Sequence, residues 1–240
     1  MSNIYRDDVL KIAACELGYM EKASNKDLDS KTANPGNGNY TKYARDLWDA
    51  DPHYYQGPKQ GYEWCTVFVD WCVYMASGKD SKRAQTAKYY TGPYGAGCGF
   101  AAEYYKAAGA WHSDPKPGDQ IFFGSGTSFR HTGLVEKVED GKVHTIEGNA
   151  DNMVKRRTYA LHDASILGYG RPAYDADKKP EEMPFVDVPK KAWYRDAVQW
   201  AYDTGVVVGT DPTHFSPEKP CTRAEVVQML YAYDKSKGGG

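Results

Sequence analysis

The fold of this chain is best approached from residues 65–77, which read CTVFVDWCVYMAS. The apolar side chains recur at the spacing of one helix face and predict a buried helix that ends at Gly78. They are Val67, Phe68, Trp71, Cys72 and Met75. Burial within this stripe favours a neutral, unreactive thiol at Cys72. The preceding residues, 52–62, are broken by proline and glycine and predict a loop.

Cys65 lies where this loop becomes the helix. The first N–H groups of a helix have no acceptor within the helix, and the helix dipole is positive there, so both favour a thiolate. We therefore expect the pKa of Cys65 to be lowered and its sulfur to act as a nucleophile. The chain has five cysteines and no CxxC pair, which favours reduced thiols over a disulfide framework.

The segments around this helix predict further helices and then short strands. Helical spacing is found in three further segments: 5–17, 40–49 and 100–109. Alternating or short apolar runs then predict strands at 120–123, 132–138, 142–148 and 165–170. The periodicity thus changes from helical to alternating along the domain. The glycine-rich segment 92–99 lacks the order of a dinucleotide-binding turn and is interpreted as a mobile wall of a cleft.

Composition excludes several functions. In 240 residues, 30 Lys and Arg stand against 32 Asp and Glu, which leaves a formal charge of −2 and predicts no nucleic-acid partner. Apolar runs fall far short of the ~20 residues that cross a bilayer, so we expect no membrane partner. The first residues lack the pattern of a secretory signal peptide. The zinc-peptidase HExxH motif and the P-loop are both missing.

A charged, proline-containing stretch, DADKKPEEMP over residues 175–184, predicts a linker between two domains. The sequence thus predicts a catalytic domain over residues 1–174 and a small helical unit over residues 185–240. No second copy of the small unit is found along the chain.

The small unit has a clear helix start. Thr222 and Glu225 have the spacing of a capping box, which places Arg223 at the first helical position, beside N–H donors that attract anions. An earlier helix of this unit is predicted to carry Trp193, Ala197, Trp200 and Ala201 on one side.

A candidate base for the thiol lies in the predicted hairpin. His131 begins one strand, and Glu147 and Asn149 end the next. Side chains alternate between the faces of a sheet, so the connecting loop decides whether these residues share a face. A two-residue loop at 140–141 would put His131 on the opposite face. We predict a three-residue loop at 139–141, with Asn149 directly across from His131 and Glu147 on the diagonal.

Four blocks of the first domain resemble those of CHAP domains, the cysteine, histidine-dependent amidohydrolases and peptidases of peptidoglycan. They are GYEWCTVFVDWC (61–72), PGDQIFF (117–123), HTGLV (131–135) and TIEGN (145–149). The resemblance extends over residues 5–174, and GYGRP (168–172) resembles a closing motif of bacterial and prophage members.

This resemblance implies a papain-like α+β fold with N-terminal helices packed on an antiparallel sheet. In it Cys65 is the nucleophile, His131 the general base and then acid, and Glu147 the residue that orients the imidazole. It also implies that Asn149 assists the histidine or the oxyanion. Some CHAP domains bind calcium through aspartates shortly before the nucleophile. The corresponding residues here, 54–63, offer only Glu63, so we expect neither a metal nor a cofactor.

The small unit resembles an S-layer homology (SLH) repeat. The matching blocks are FVDVP (185–189), Trp193, GVVVG (205–209), FSP (215–217) and TRAE (222–225). Such repeats bind secondary cell-wall polymers, and the likeness implies that Arg223 is an anion contact. The family usually has three repeats and this chain shows one. Chains could therefore assemble into a homo-oligomer, the unit could bind weakly, or it could be a remnant.

Together these features predict a peptidoglycan hydrolase, a phage or prophage endolysin or an autolysin, made in the bacterial cytoplasm and acting at the cell wall. The bond could be the N-acetylmuramoyl-L-alanine amide or one within the peptides. A non-catalytic wall-binding protein is the alternative from another class. An NlpC-type cysteine peptidase is a third, and it would favour histidine instead of Glu147 as the third residue.

Overall fold

The computed structural model describes residues 3–91, 95–175 and 183–236. The chain forms two compact units, residues 1–177 and residues 178–240. Of the predicted linker, residues 176–182 lie outside the described residues. None of the described helices is long and apolar enough to span a bilayer.

The first unit begins with helices arranged around one central helix. They are α1 (Arg6–Cys15), α2 (Lys42–Ala50), α3 (Cys65–Ala76), α4 (Ser81–Ala87) and α5 (Cys98–Ala107). Helix α3 is buried from its first residue through Tyr74 and contacts the other four helices or the sheet along its length. Because it is apolar on nearly every side, it is stable only when covered all round. The predicted burial of Cys72 is confirmed, and burial raises the pKa of its thiol.

The helices are followed by one antiparallel sheet in the order β1-β6-β2-β3-β4-β5. Its strands are β1 (Trp111–His112), β2 (Gln120–Ser125), β3 (Ser128–Glu139), β4 (Lys142–Glu147), β5 (Lys155–Ala160) and β6 (Ile166–Gly170). Strand β3 contacts both α3 and α5, which brings the sheet against the start of the central helix. The predicted α+β class is confirmed.

The hairpin between β3 and β4 differs from the prediction. Glu139 pairs with Lys142, so the loop consists of Asp140 and Gly141 alone, with φ angles of 49° and 69°. Positive φ at both central residues is typical of the two-residue turn that matches strand twist. The predicted three-residue loop was therefore wrong.

A β-bulge in β3 nevertheless produces the register that the longer loop was expected to give. Val135 pairs with Thr145, whereas Lys137 pairs with His144, so Glu136 is an extra residue in its strand. A bulge of this kind moves every residue beyond it to the other face relative to the partner strand. As a result, the His131 side chain lies on the same face of the sheet as Glu147. A two-residue turn without the bulge would place it on the opposite face.

The second unit has a small core of its own, made by Met183, Phe185, Val188 and Val198. Its helices are α6 (Arg195–Asp203) and α7 (Arg223–Ser236). The capping box is present at the start of α7. Glu225 Oε2 accepts from Thr222 N–H at 2.6 Å, and Thr222 Oγ1 accepts from Glu225 N–H at 3.2 Å.

The residues predicted to share one side of a helix differ in burial. Trp193 precedes α6 and is 93% exposed, Trp200 is half exposed and contacts the Tyr233 ring, and Ala201 is buried together with Val198. Burial within residues 183–236 therefore extends over only part of that side.

Candidate active site

Cys65 is the first residue of α3 and is almost fully buried. The residue before it, Trp64, donates from Nε1 to Glu21 Oε2 at 2.8 Å, which fixes the chain as it enters the helix. The end of β4 packs against this helix start through Gly148. A Cβ at Gly148 would lie 2.4 Å from Phe68 Cβ, so a glycine is required for this approach.

His131 and Glu147 are in direct contact. His131 Nε2 lies 2.9 Å from Glu147 Oε2, and the other carboxylate oxygen accepts from the Thr145 hydroxyl at 2.6 Å. Glu147 is 1% exposed, and its position is fixed by buried neighbours. Nδ1 has no hydrogen-bond partner among the described residues. A carboxylate at Nε2 favours the proton there and leaves Nδ1 as the basic nitrogen.

The imidazole is held in place from β2 as well. Phe123 pairs directly with His131 across the strands, and the two rings are stacked with centroids 6.0 Å apart. Between Phe123 and Gly124 the register shifts, because Arg130 is an extra residue in β3. Bulges beside a site re-aim the side chains that follow them. Strand β3 therefore has two bulges, at Arg130 and at Glu136, and His131 is the first residue of the regular segment between them.

The sequence analysis missed a second cysteine at the site. Cys98 begins α5 just as Cys65 begins α3, and the two thiols line one cleft. Their interaction and burial raise the pKa of Cys65, whereas the same interaction, backbone N–H groups and the charge of His131 lower the pKa of Cys98 to about 7. The expected lowering of the Cys65 pKa was therefore wrong, and the lowered pKa belongs to Cys98.

The two cysteines lie in one cleft of about 430 Å³. Side chains around it include Lys59, Glu63, Phe100 and Arg130. Part of the glycine-rich segment also forms its wall, as predicted, while residues 92–94 lie outside the described residues. The cleft is open and contains both cationic and apolar groups, which suits a polar, extended substrate.

Asn149 makes no hydrogen bond to His131 in this arrangement. Its Nδ2 donates to Glu63 Oε2 at 2.6 Å. Glu63 is thus engaged by an amide, and within the described residues no group of three or more His, Cys, Asp or Glu side chains could hold a metal ion. The residues before the nucleophile do not fit the calcium site of some CHAP domains.

A buried polar network behind the site was also missed. Lys88 donates to Asp70 in the middle of α3 and to Gln120 Oε1 at 2.6 Å, and neither charged side chain has any exposed surface. Gln120 Nε2 in turn donates to Thr132 Oγ1 at 2.9 Å. The network therefore reaches the residue directly after His131. A lysine at the end of a short helix gives no local signal that it will be buried.

Arg223 is the first residue of α7 and is exposed. It makes no hydrogen bond or ion pair with another residue of the range 183–236. The N-terminal N–H groups of α7 are next to it, and one of them is satisfied by the capping box. The guanidinium is accordingly available to an external anion.

Two protein-family models each match a part of the chain. The CHAP domain family matches residues 57–149, and the S-layer homology domain family matches residues 184–227. Over 59 residues the chain is 34% identical to the surface-layer 125 kDa protein of Lysinibacillus sphaericus. This match covers 25% of the chain and 5% of that relative, so the chain spans a small part of the relative's length.

Two solved structures show a distant likeness. The crystal structure of Ly7917 aligns at a TM-score of 0.39 and 12% identity, over 70% of this chain and 62% of that one. The structure of Ly7917 with the hydrolyzing product of MDP aligns at a TM-score of 0.37 and 12% identity, over 70% and 63%. From the family matches, the chain carries a CHAP domain followed by a C-terminal S-layer homology domain.

Proposed function

We propose that this chain hydrolyses an amide bond of bacterial peptidoglycan, with Cys65 as nucleophile, His131 as general base and acid, and Glu147 as the group that orients the imidazole. The observation that carries the proposal is the 2.9 Å contact between His131 Nε2 and the buried Glu147 carboxylate. Arg130, next to His131, lines the same cleft as Cys65. A carboxylate as third residue favours the CHAP chemistry over an NlpC-type site.

The reaction begins with proton removal from the thiol. Because the pKa of Cys65 is raised, its sulfur keeps the proton until His131 Nδ1 accepts it as the substrate is attacked. The thiolate then adds to the amide carbon, and the N–H of Cys65, at the N-terminus of α3, donates to the oxyanion. Glu147 stabilises the imidazolium that forms.

The second half of the reaction returns the proton. The imidazolium of His131 protonates the leaving amine, the C–N bond breaks, and a thioester to Cys65 remains. Water then attacks the thioester with His131 again as base, which releases the acid and restores the thiol. Asn149 is assigned a supporting role at the oxyanion or the imidazole, for which its amide must exchange Glu63 for a new partner.

We further propose that the second unit holds the enzyme on the wall through an acidic secondary cell-wall polymer, with Arg223 as an anion contact. The exposed, unpaired position of Arg223 at the start of α7 supports this role. Exposed apolar side chains of the unit, such as Trp193 and Leu230, support assembly with further copies of the chain. An endolysin or autolysin with its catalytic domain over residues 1–174 accounts for this arrangement.

The catalytic proposal is tested by lysis of purified sacculi with the full chain. Cys65→Ala should abolish the fall in turbidity, whereas Cys15→Ser, at an exposed thiol on α1, should leave it unchanged. Continued lysis by Cys65→Ala would exclude the thiol mechanism. Mass spectrometry of the released fragments identifies the bond: intact stem peptides with free L-alanine amines indicate an amidase, and cut peptides indicate an endopeptidase.

The wall-binding proposal needs a separate test. In the Cys65→Ala background, which leaves the wall intact, Arg223→Ala should reduce the fraction of protein that sediments with walls. Lys219→Ala is a suitable control because it removes an exposed cation of the same unit. Equal binding by the Arg223 and Lys219 variants would contradict the assigned role of Arg223.

A further inference from the structure

The two cysteines of the cleft occupy equivalent positions on different helices. Cys65 is the first residue of α3 and Cys98 is the first residue of α5, and their exposed fractions are 7% and 8%. The other three cysteines are elsewhere. Cys15 and Cys221 are exposed, and Cys72 lies two turns further along α3, in the core. The proposed catalytic reaction needs one thiol in the cleft, so the second thiol is unexplained by it.

The surroundings of the pair favour a negative sulfur. Two helix N-termini meet there, and each contributes the positive end of its dipole. The backbone N–H of Thr66 favours the ionised form of Cys65, and the backbone N–H groups of Cys98 and Gly99 favour the ionised form of Cys98. The neighbouring Cys65 thiol, backbone N–H groups and the charge of His131 lower the pKa of Cys98 to about 7. A substantial fraction of Cys98 is consequently thiolate at neutral pH, in the cleft that Cys65 also lines.

The backbone next to Cys98 is free to adjust. Disulfide formation draws two sulfurs to about 2.05 Å and requires Cα atoms within about 7 Å of each other. Cys98 is flanked by Gly97 and Gly99, and a Cβ added to either glycine would meet no atom closer than 3.5 Å. The start of α5 therefore has both conformational freedom and space, which the tightly packed start of α3 lacks.

We propose that Cys65 and Cys98 form a reversible disulfide that switches the hydrolase off under oxidising conditions. The loss of activity rests on the proposed function, whereas the disulfide itself does not. The oxidant is a low-molecular-weight disulfide, R–S–S–R. One cleft thiolate attacks it, one R–SH leaves, and a mixed disulfide forms on the protein. The second cleft thiolate then displaces the other R–SH.

The exchange balances as two protein thiols plus one R–S–S–R giving one protein disulfide and two R–SH. Cys98 is the first attacker because it is the member of the pair with the lowered pKa. Cys65 then resolves the mixed disulfide. A dithiol reductant reverses the reaction by the same two displacements, so the nucleophile is stored in a form that resists irreversible oxidation.

The test compares oxidised and reduced protein by mass and by activity. The full chain is incubated with oxidised glutathione, the remaining thiols are alkylated, and the protein is cut with trypsin without reduction. Cleavage after the lysines joins peptide 60–79 to peptide 89–106 if the bridge forms. Because peptide 60–79 also contains Cys72, fragment ions must place the bridge on Cys65. Lysis of sacculi should fall more than about tenfold and recover with dithiothreitol.

Variants distinguish a disulfide between the two cysteines from the attachment of glutathione to Cys65 alone. Cys98→Ser, and Cys98→Ala if the serine protein folds poorly, should give no linked peptides and should instead carry glutathione on Cys65. Cys15→Ser should form the bridge as the unchanged chain does. The proposal is overturned if glutathione adds to the unchanged chain without linking peptides 60–79 and 89–106. A bridge in a protein that does not lyse sacculi even when reduced would instead refute the proposed function alone.

Discussion

His131 and Glu147 lie 2.9 Å apart although the two-residue turn of their hairpin would, by itself, place their side chains on opposite faces of the sheet. The extra residue at Glu136 corrects the alternation between the turn and the site. The contact at the centre of the proposed chemistry therefore depends on an irregularity in β3 and not on the turn. Gly133, opposite Glu147, leaves room for the carboxylate, since a Cβ there would lie 2.5 Å from Glu147 Cγ.

Glu147→Gln should lower kcat by about 10²- to 10⁴-fold with little change in KM, because the amide keeps the shape of the side chain but cannot stabilise an imidazolium. Thr145→Val, which removes the hydroxyl that donates to the same carboxylate, should cost about tenfold. Kinetics on sacculi measure both. Thr158→Val is the control, since Thr158 lies exposed on β5. Full activity of Glu147→Gln would remove Glu147 from the mechanism.

The helices and strands with strong periodicity could be predicted from the sequence, whereas the register of the hairpin could not. The pair Asp140-Gly141 correctly indicates a turn, but nothing in the letters around Glu136 indicates a bulge, because a bulged and a regular strand have the same local composition. The predicted face for His131 was correct although the predicted loop length was wrong, because the bulge has the same effect on register as one extra loop residue. Strand β5 was missed because its residues are charged, as is common in an edge strand.

Cys98 illustrates another limit of the sequence. The segment around it is glycine-rich and was interpreted as a cleft wall, which is where the structure places it. That a thiol on this wall meets Cys65 depends on how α5 packs beside α3, a contact between segments more than thirty residues apart. A usable signal was present in Gly97-Cys98-Gly99, since a cysteine at a helix start is as suited to ionisation there as at Cys65.

Iodoacetamide should label the cleft thiols in the native protein but not Cys72. In a Cys15→Ser/Cys221→Ser background, the labelling rate should rise as the pH increases through about 7, where Cys98 loses its proton, and should fall below that pH as the thiolate disappears. Cys72 should react only after unfolding, because burial raises the pKa of its thiol and excludes the reagent. Peptide mapping of the alkylated protein measures each site. Equal native labelling of Cys72 would contradict its burial.

Gly148→Ala should destabilise the protein by about 1–3 kcal/mol, because the new methyl group overlaps Phe68 and pushes the end of β4 away from α3. Activity should fall further than stability alone explains, since Glu147 moves with that strand end. Gly99→Ala should instead raise the free energy of unfolding. Its nearest contact would be 3.9 Å away, and alanine is favoured over glycine in a helix by up to about 1 kcal/mol. Urea unfolding of both variants gives the comparison.

The buried pair of Lys88 and Asp70 should matter most for stability. Lys88→Met should cost about 3–5 kcal/mol, because it leaves the Asp70 carboxylate without a cation where no water reaches. Burial lowers the pKa of Lys88 and the charge of Asp70 opposes that change, so Lys88 depends on Asp70 for its ionised form. Lys155→Met, at an exposed ion pair with Asp151, should change the free energy of unfolding by less than about 1 kcal/mol.

The double variant Lys88→Met/Asp70→Leu distinguishes a charge effect from a packing effect. Once both charges are gone, no uncompensated ion remains. The loss in free energy of unfolding for the double variant should therefore be smaller than the sum of the losses for Lys88→Met and Asp70→Leu measured separately. Some loss should persist, because Tyr55 and Tyr90 donate to Asp70 and would lose these hydrogen bonds. Strictly additive losses in urea unfolding would show that the two side chains act as separate packing groups and not as an ion pair.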